Sequence, residues 1–503
     1  MKSLAKTIAV LLLLVAIGTI VNTLTHPSRQ LAVEGIPPMS LERDAIVPRL
    51  QRAIQLKTLS HDDNRLFDTQ SFKDLHAHIF SSFPLIAQQL EVEVVNEMSL
   101  LFFWPGSDDS LKPVALLNHL DVVPVQSNTL DRWKAAPFSG DIIDGRIYGR
   151  GTLDVKSGAM ASLEAIELLL AGGFQPRRSI YIALGHDEET GGAAGARAIV
   201  ERLKQRNVEL EFVLDEGGAI VTNAIPGISN KIAMIGVAEK GYISLTLTVE
   251  TASGHSSQPP KEMAIGILSR ALVRIEDQPF PSRLSDPVRL NLEYLASELP
   301  APLKWVATNL WLFKPLILAA FEGDPALGSL VRTTAAITLF NSGIKDNVLP
   351  TTAEATVNFR ILPGETRHSV MARIVQVVGD ERVKIDYLAG FESNPSPVSD
   401  YRGLGFQLIQ KTVSETFNQQ GAVVYSTPFL LMGGTDSRHY KSIAKNIYRF
   451  SPIDIQVAEL PSIHGINESI RVQNYLDMVR FYHRFIGNLN QPFEPDAAIS
   501  SAD

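Results

Sequence analysis

The apolar positions of this chain follow two textures. In the first, short continuous apolar runs alternate with stripes at helical spacing. Ile46, Leu50, Ile54 and Leu56 recur as on one face of a helix that begins near Leu41, and Phe72 to Phe83 reads as a second helix. Leu90 to Phe103 reads as strands. Val114 to His119, Ser179 to Leu184 and Leu210 to Leu214 are apolar runs bounded by polar, Gly or Pro signals, as buried strands are. A helix from Ser157 to Gly172 puts Ala161, Ala165, Leu168 and Leu169 on one face. Strands alternating with helices predict a mostly parallel sheet.

The second texture starts near Gly241. Tyr242 to Thr251, Ala353 to Ile361 and Val383 to Leu388 alternate apolar and polar, as half-exposed antiparallel strands do. An apolar helix, Ala264 to Ile275, lies among them. After Pro395 and Pro397 the first texture returns, with a helix from Leu404 to Phe417 and strands near 428 and 447. The predicted fold class is therefore α/β. A mostly parallel-sheet body, 41–240 and 391–490, is interrupted by an inserted α+β domain, 241–390, and followed by a tail, 491–503.

Ahead of the body, Lys2 and Lys6 precede an apolar run from Ile8 to Val21, or to Leu24 if Asn22 and Thr23 are tolerated. A basic start before a short apolar core is an export pattern. The expectation is an uncleaved membrane anchor, 1–24, with the body outside the cytoplasm; the alternative is cleavage after Gly18 and a secreted protein. Residues 25–40, with Pro27, Pro37 and Pro38, read as a linker.

Composition then narrows the chemistry. The net charge of −8 over 503 residues argues against nucleic acid as a partner. Cysteine is absent, so thiolate ligands and a Cys nucleophile are excluded, and any metal must be held by His, Asp and Glu. No G-x-S-x-G occurs at a strand-to-helix turn, which argues against a serine hydrolase.

The polar residues that close the apolar runs supply candidates. His119 and Asp121 end the VALLNHLD run, two apart and so on one face; a metal-binding His commonly gives its second ring nitrogen to a carboxylate. Asp187, Glu188 and Glu189 stand together after the Ser179 strand, a costly grouping without a cation. Asp215 and Glu216 close the Leu210 strand. Asp154 precedes the Ser157 helix, where in isolation it reads as a cap, and His464 lies on a late loop. These acids and histidines share one sheet edge, where open α/β sheets place their sites. With His119, Asp154, Glu189, Asp215 and His464 as ligands, two divalent metals need one bridging carboxylate. Nitrogen and oxygen donors suit two zinc ions, with cobalt or manganese as substitutes. Glu188 is left free to act as general base.

The segments NHLDVVP, GRGTLDVKSG, GHDEETGG, VLDEGG and HGINE resemble the dizinc aminoacylase/carboxypeptidase family, in order from about 41 to 490. SGHSSQPPKE, NLWLFKPL, VLP and NFRILPG add a likeness to its N-fatty-acyl-amino-acid synthase/hydrolase branch. The resemblance implies hydrolysis or formation of an amide next to a free carboxylate, in an N-acyl amino acid or, alternatively, a Gly-Xaa dipeptide. By that likeness, His119 and Asp215 would hold one zinc, Glu189 and His464 the other, and Asp154 would bridge. Asp121 would orient His119 and Glu188 would be the base. His255, in the inserted lid, would stabilise the oxyanion, often across a homodimer formed by that lid. Asn347 and Arg360 would bind the substrate carboxylate, and the loop at Gly434 would approach by backbone. The remaining histidines read as surface or packing residues. The stripe Trp305, Leu310, Trp311, Leu312 and Phe313 is expected in the lid core rather than in an acyl pocket.

Overall fold

The computed structural model describes residues 2–61, 63, 66–225, 228–419 and 422–491. Of the expected tail, 492–503 lies outside the described residues. In chain order the main strands are β1 (Glu91–Val95), β2 (Ser99–Trp104), β3 (Val114–His119), β4 (Ile180–Gly185), β5 (Leu210–Asp215) and β6 (Ile232–Glu239). The inserted segment adds β7 (Gly241–Glu250), β8 (Thr334–Ser342), β9 (Thr352–Ile361) and β10 (Val383–Tyr387). The chain then returns through β11 (Tyr425–Leu431) and β12 (Ala444–Arg449).

The large sheet has ten strands and runs β1-β2-β4-β3-β5-β12-β6, continued by the short strands Ile220–Thr222 and Asp454–Gln456, with β11 beside β6. β3 is parallel to both β4 and β5, and β5 to β12. The fold is thus mixed α/β with a mostly parallel central sheet. Every residue of β3 is buried, because both faces are covered. Val114 and Leu116 point into a core shared with helices Lys156–Ala171 and Val472–Asn488. Ala115 and Leu117, one step out of phase, pack with Ile199, Val200 and Leu203 of helix Ala196–Gln205.

The smaller sheet runs β8-β9-β7-β10, all antiparallel. Its Ile243, Leu245, Leu247 and Val249 alternate inward against helices Ala264–Asp277 and Arg367–Val378. β6 passes into β7 with only Lys240 between. That lysine is buried, and its Nζ donates to the carbonyls of Ser329 at 2.9 Å and Arg332 at 2.8 Å.

Three helices outside these cores concern function. Helix α1 (Lys2–Thr25) is longer than the apolar run in the sequence and is almost wholly exposed. Helices α2 (Ala301–Thr308) and α3 (Leu310–Glu322) form a hairpin that carries the aromatic stripe. The stripe is not core. Trp311 is 68% exposed, Trp305 39% and Leu312 38%. A helix apolar on every side can turn only one side to the body, and α3 buries Ile317 alone.

Candidate dimetal active site

The acids and histidines converge at the C-terminal edge of the large sheet. His119, the last residue of β3, lies with Nε2 2.9 Å from Asp154 Oδ1 and 3.5 Å from Glu216 Oε1. His464 approaches from its loop, with Nε2 3.0 Å from Asp154 Oδ2 and 3.1 Å from Glu189 Oε2. The Asp154 carboxylate therefore stands between two imidazoles, one oxygen to each. Two donor triads result, His119–Asp154–Glu216 and Asp154–Glu189–His464, each with its ligand atoms within 4.8 Å of one another. Asp121, fully buried, has Oδ1 3.3 Å from His119 Nδ1. Its two oxygens also accept the backbone N–H groups of Glu188 and Glu189, each at 3.2 Å. The carboxylate thus fixes the acidic loop, while His119 Nδ1 also meets the Asp121 backbone carbonyl at 3.0 Å.

Beside His119 the geometry brings Glu216 rather than the expected Asp215. Asp215 does not face His119. Its Oδ2 accepts from the Ser437 N–H at 2.8 Å and its Oδ1 from the Glu216 N–H at 2.9 Å. Successive residues at a strand end point to opposite sides, so the acid that reaches His119 is Glu216. The sequence DEGG contains both and does not say which way the end of β5 turns.

Sequence reasoning also missed Glu468. Its buried carboxylate accepts from the N–H groups of Gly151 at 3.0 Å and Leu153 at 2.8 Å, and pairs with Arg150 Nη1 at 2.5 Å. Arg150 in turn donates to the His464 carbonyl at 3.0 Å. The pair therefore shapes both the turn that presents Asp154 and the loop that presents His464. Gly151 has φ +90° in that turn, and a Cβ there would lie 2.8 Å from a Val122 methyl. Burial pushes the Glu468 carboxyl up to about 7.

The donor set fits divalent metals. Burial raises the carboxyls of Glu189 and Glu216, the latter to about 7. Burial opposes a charge on His119, yet Asp121, Asp154 and Glu216 together hold its pKa well above the usual histidine value. The buried Oε1 of Glu189 has no hydrogen-bond partner among the described residues. Clustered acids with an unpartnered oxygen are what a cation site demands, and two imidazoles with carboxylates suit zinc-like ions.

Glu188 sits beside the triads and belongs to neither. Burial raises its carboxyl well above the ordinary range, and Arg438 Nη1 lies 3.3 Å from its Oε1. The Arg438 guanidinium lies 4.5 Å from the Phe391 ring centre, Phe391 lies 5.3 Å from Tyr242, and the Arg360 guanidinium lies 4.7 Å from Tyr242. A ladder of stacked cations and rings thus joins Glu188 at the large sheet to Arg360 on β9 of the smaller sheet. Arg360 is half-buried and has no ion-pair partner among the described residues. Arg438 lies four residues beyond Gly434 in the GGTDSRHY loop, which the sequence singled out for its backbone alone. His255 sits on an exposed two-stranded ribbon, Gly254–His255 paired with Val348–Leu349, and the Asn347 carbonyl accepts the Ser256 N–H at 3.3 Å. Among the described residues neither His255 nor Asn347 bonds to the donor triads.

Residues 115–488 match the model of peptidase family M20/M25/M40. The chain belongs to this family. It is 42% identical over 459 residues to the N-fatty-acyl-amino acid synthase/hydrolase PM20D1 of Mus musculus, covering 90% of each chain. It is 38% identical over 488 residues to the probable carboxypeptidase S-like 2 of Dictyostelium discoideum, covering 95% of this chain and 92% of that one. The fold is similar to the metallo-carboxypeptidase Sso-CP2 of Sulfolobus solfataricus, with TM-score 0.65 at 18% identity, over 90% of this chain and all of the other. This family member is a metal-dependent hydrolase of peptide-like C–N bonds.

Proposed function

We propose that this enzyme cleaves, and in reverse forms, the amide bond of N-acyl amino acids that carry a free carboxylate. The observation that carries the reading is the Asp154 carboxylate set between His119 and His464, with Glu188, an acid outside both donor triads, alongside. His119, Asp154 and Glu216 would hold one metal, Asp154, Glu189 and His464 the other. Zinc is the first choice, with cobalt or manganese as substitutes. When bound, the pair would supply an acidified water and polarise the amide carbonyl. Glu188 takes one proton from the water as its oxygen adds to the carbonyl carbon. The same carboxyl then returns the proton to the departing nitrogen, so that the C–N bond breaks to a carboxylic acid and an amine, and the acid's proton passes to the amine to leave a carboxylate and an ammonium.

Arg360, half-buried and without an acid of its own, suits the substrate carboxylate, because its fork offers two parallel hydrogen bonds. Asn347 and the Gly434 backbone complete the grip. His255 would reach the oxyanion from a partner subunit; the β8 edge strand, with Leu339 and Phe340 exposed, supports a homodimer through the lid. Helix α1 anchors the chain in a membrane with the body extracytoplasmic, or is cleaved to release it. Its 24 residues extend about 36 Å at 1.5 Å per residue, enough to span a bilayer core.

The likeness to the mouse synthase/hydrolase supports an N-fatty-acyl substrate, and the likeness to the Dictyostelium protein supports a carboxypeptidase S-like activity, for which we take a Gly-Xaa dipeptide as the alternative substrate. The deciding experiment is an acyl-length series on one amino acid with zinc-loaded enzyme. kcat/KM should climb from acetyl to medium and long chains, because each buried methylene is worth about 0.8 kcal/mol. Arg360→Ala should weaken all members alike. A flat series with faster turnover of Gly-Xaa dipeptides would select the alternative.

A further inference from the structure

The helical hairpin 301–322 is an exposed apolar feature that the catalytic reading leaves unused. Leu303, Trp305, Trp311, Leu312 and Leu316 are 42%, 39%, 68%, 38% and 58% exposed. The Trp305 and Phe313 rings meet at 4.6 Å, so α2 and α3 present one joined apolar face. Soluble surfaces rarely leave such a patch open to water.

We infer that this hairpin is a second membrane-contacting element, lying in the interface of a lipid bilayer beside the point where α1 leaves it. The inference rests on the reading of α1 as a helix that enters a bilayer. What commits the face to lipid is its continuity with α1. Asn22 Nδ2 donates to the Thr308 carbonyl at 2.7 Å and to Asn309 Oδ1 at 3.1 Å. Thr23 and Thr308 hydroxyls meet at 2.9 Å, and Asn309 Nδ2 donates to the Thr19 carbonyl at 3.2 Å. All these ties lie in the last two turns of α1. The apolar residues before them, Ile8 to Val15, are free of the body and exposed.

The level of the hairpin follows. A spanning α1 places its polar last turns at the bilayer surface, where side-chain amides and hydroxyls find partners. The α2–α3 junction is bonded at that level. Trp305 and Trp311 then sit where indole rings favour the headgroup boundary, and exposed Lys314 can extend its ammonium to water. On the inner side of α3, Leu318 and Phe321 pack against Ala238, Leu362 and Leu430. Ala238 precedes Lys240 at the base of the lid, and Leu430 precedes the Gly434 loop. A bilayer that holds the hairpin therefore holds the hinge side of the active site in a fixed orientation.

The test uses the full chain reconstituted into nanodiscs of phosphatidylcholine with plain or brominated acyl chains. Of the four tryptophans, Trp104 and Trp133 are buried in the body at 3% and 8% exposure, so bromine reports on Trp305 and Trp311. Brominated discs should lower the emission of Trp305 and Trp311, indoles that the membrane interface would hold near the acyl chains. The W305F/W311F double variant should lose that drop while keeping its hydrolase activity. Equal emission in both disc types, with the chain co-purifying in the discs, would overturn the hairpin's role and leave α1 as sole anchor. Concentration-dependent shielding from aqueous iodide without bromine quenching would assign the face to a second copy of the chain and equally overturn the proposal. A chain that fails to enter discs at all would overturn the anchor reading and the hairpin with it.

Discussion

Glu216 and Asp215 are neighbours with opposite environments, and substituting each in turn separates ligand from scaffold. Glu216→Ala removes one of three donors around the first metal and leaves Asp154, Glu189 and His464 untouched. Losing a mere outer partner of a metal ligand typically costs roughly 10–100-fold in affinity. Loss of a direct donor should therefore cost at least about 100-fold, or about 2.8 kcal/mol at 1.4 kcal/mol per decade. Asp215→Asn leaves both donor triads complete. Both Asp215 oxygens accept backbone N–H groups, from Glu216 and Ser437. Either orientation of the amide must therefore point its NH2 at a donor. A buried donor left without an acceptor costs about 1–3 kcal/mol. At 2–4 °C per kcal/mol the melting temperature should fall by roughly 2–12 °C. Elemental analysis after dialysis against graded chelator, with thermal melts of the metal-free proteins, reads both effects. Glu216→Ala should retain one metal where the native chain retains two, with an apo melting point near native. Asp215→Asn should retain two and melt lower. If Asp215→Asn sheds a metal while Glu216→Ala keeps both, the assignment at the end of β5 is wrong.

Glu188→Gln should keep metal and fold yet lose roughly 10²–10⁴ in kcat, because an amide cannot take the water's proton; near-native turnover would remove Glu188 from the role of base. If His255 acts across a dimer, each mixed dimer of inactive Glu188→Gln and inactive His255→Ala chains holds one intact site, and mixing them should recover part of the activity. No recovery despite demonstrated subunit exchange would confine His255 to its own chain or to no role. Burial raises the Glu164 carboxyl from 4.5 to about 7, although Arg49 Nη1 lies 2.6 Å away. The folded chain thus keeps a proton that the unfolded chain releases. The contribution of Glu164 to stability is full below about pH 4.5 and is lost as pH rises towards 7, by up to about 3 kcal/mol. Glu164→Gln should flatten the fall in melting temperature between pH 5 and 8; an unchanged slope would show that Glu164 ionises normally.

Much of this protein is written locally in its sequence. Continuous apolar runs separated by helical stripes require a sheet covered on both faces, and the alternation from Tyr242 requires one covered on a single face. The α/β class follows from those periods. The run that ends in His119 and Asp121 carried its chemistry in plain order, because residues two apart on a strand share a side whatever surrounds them. Adjacent residues do not. Whether Asp215 or Glu216 meets His119 depends on which way β5 turns at its end, and that is set by the Ser437 N–H arriving from more than 200 residues later. The same holds for Glu468, which shapes the Asp154 turn from across the chain, and for Arg438, which reaches Glu188 only because the body closes on itself. The Trp305–Phe313 stripe shows the limit from the other side. Its composition is that of a core, and only the tertiary structure decides that it faces outward, because a hairpin apolar all round has more surface than the body beneath can cover.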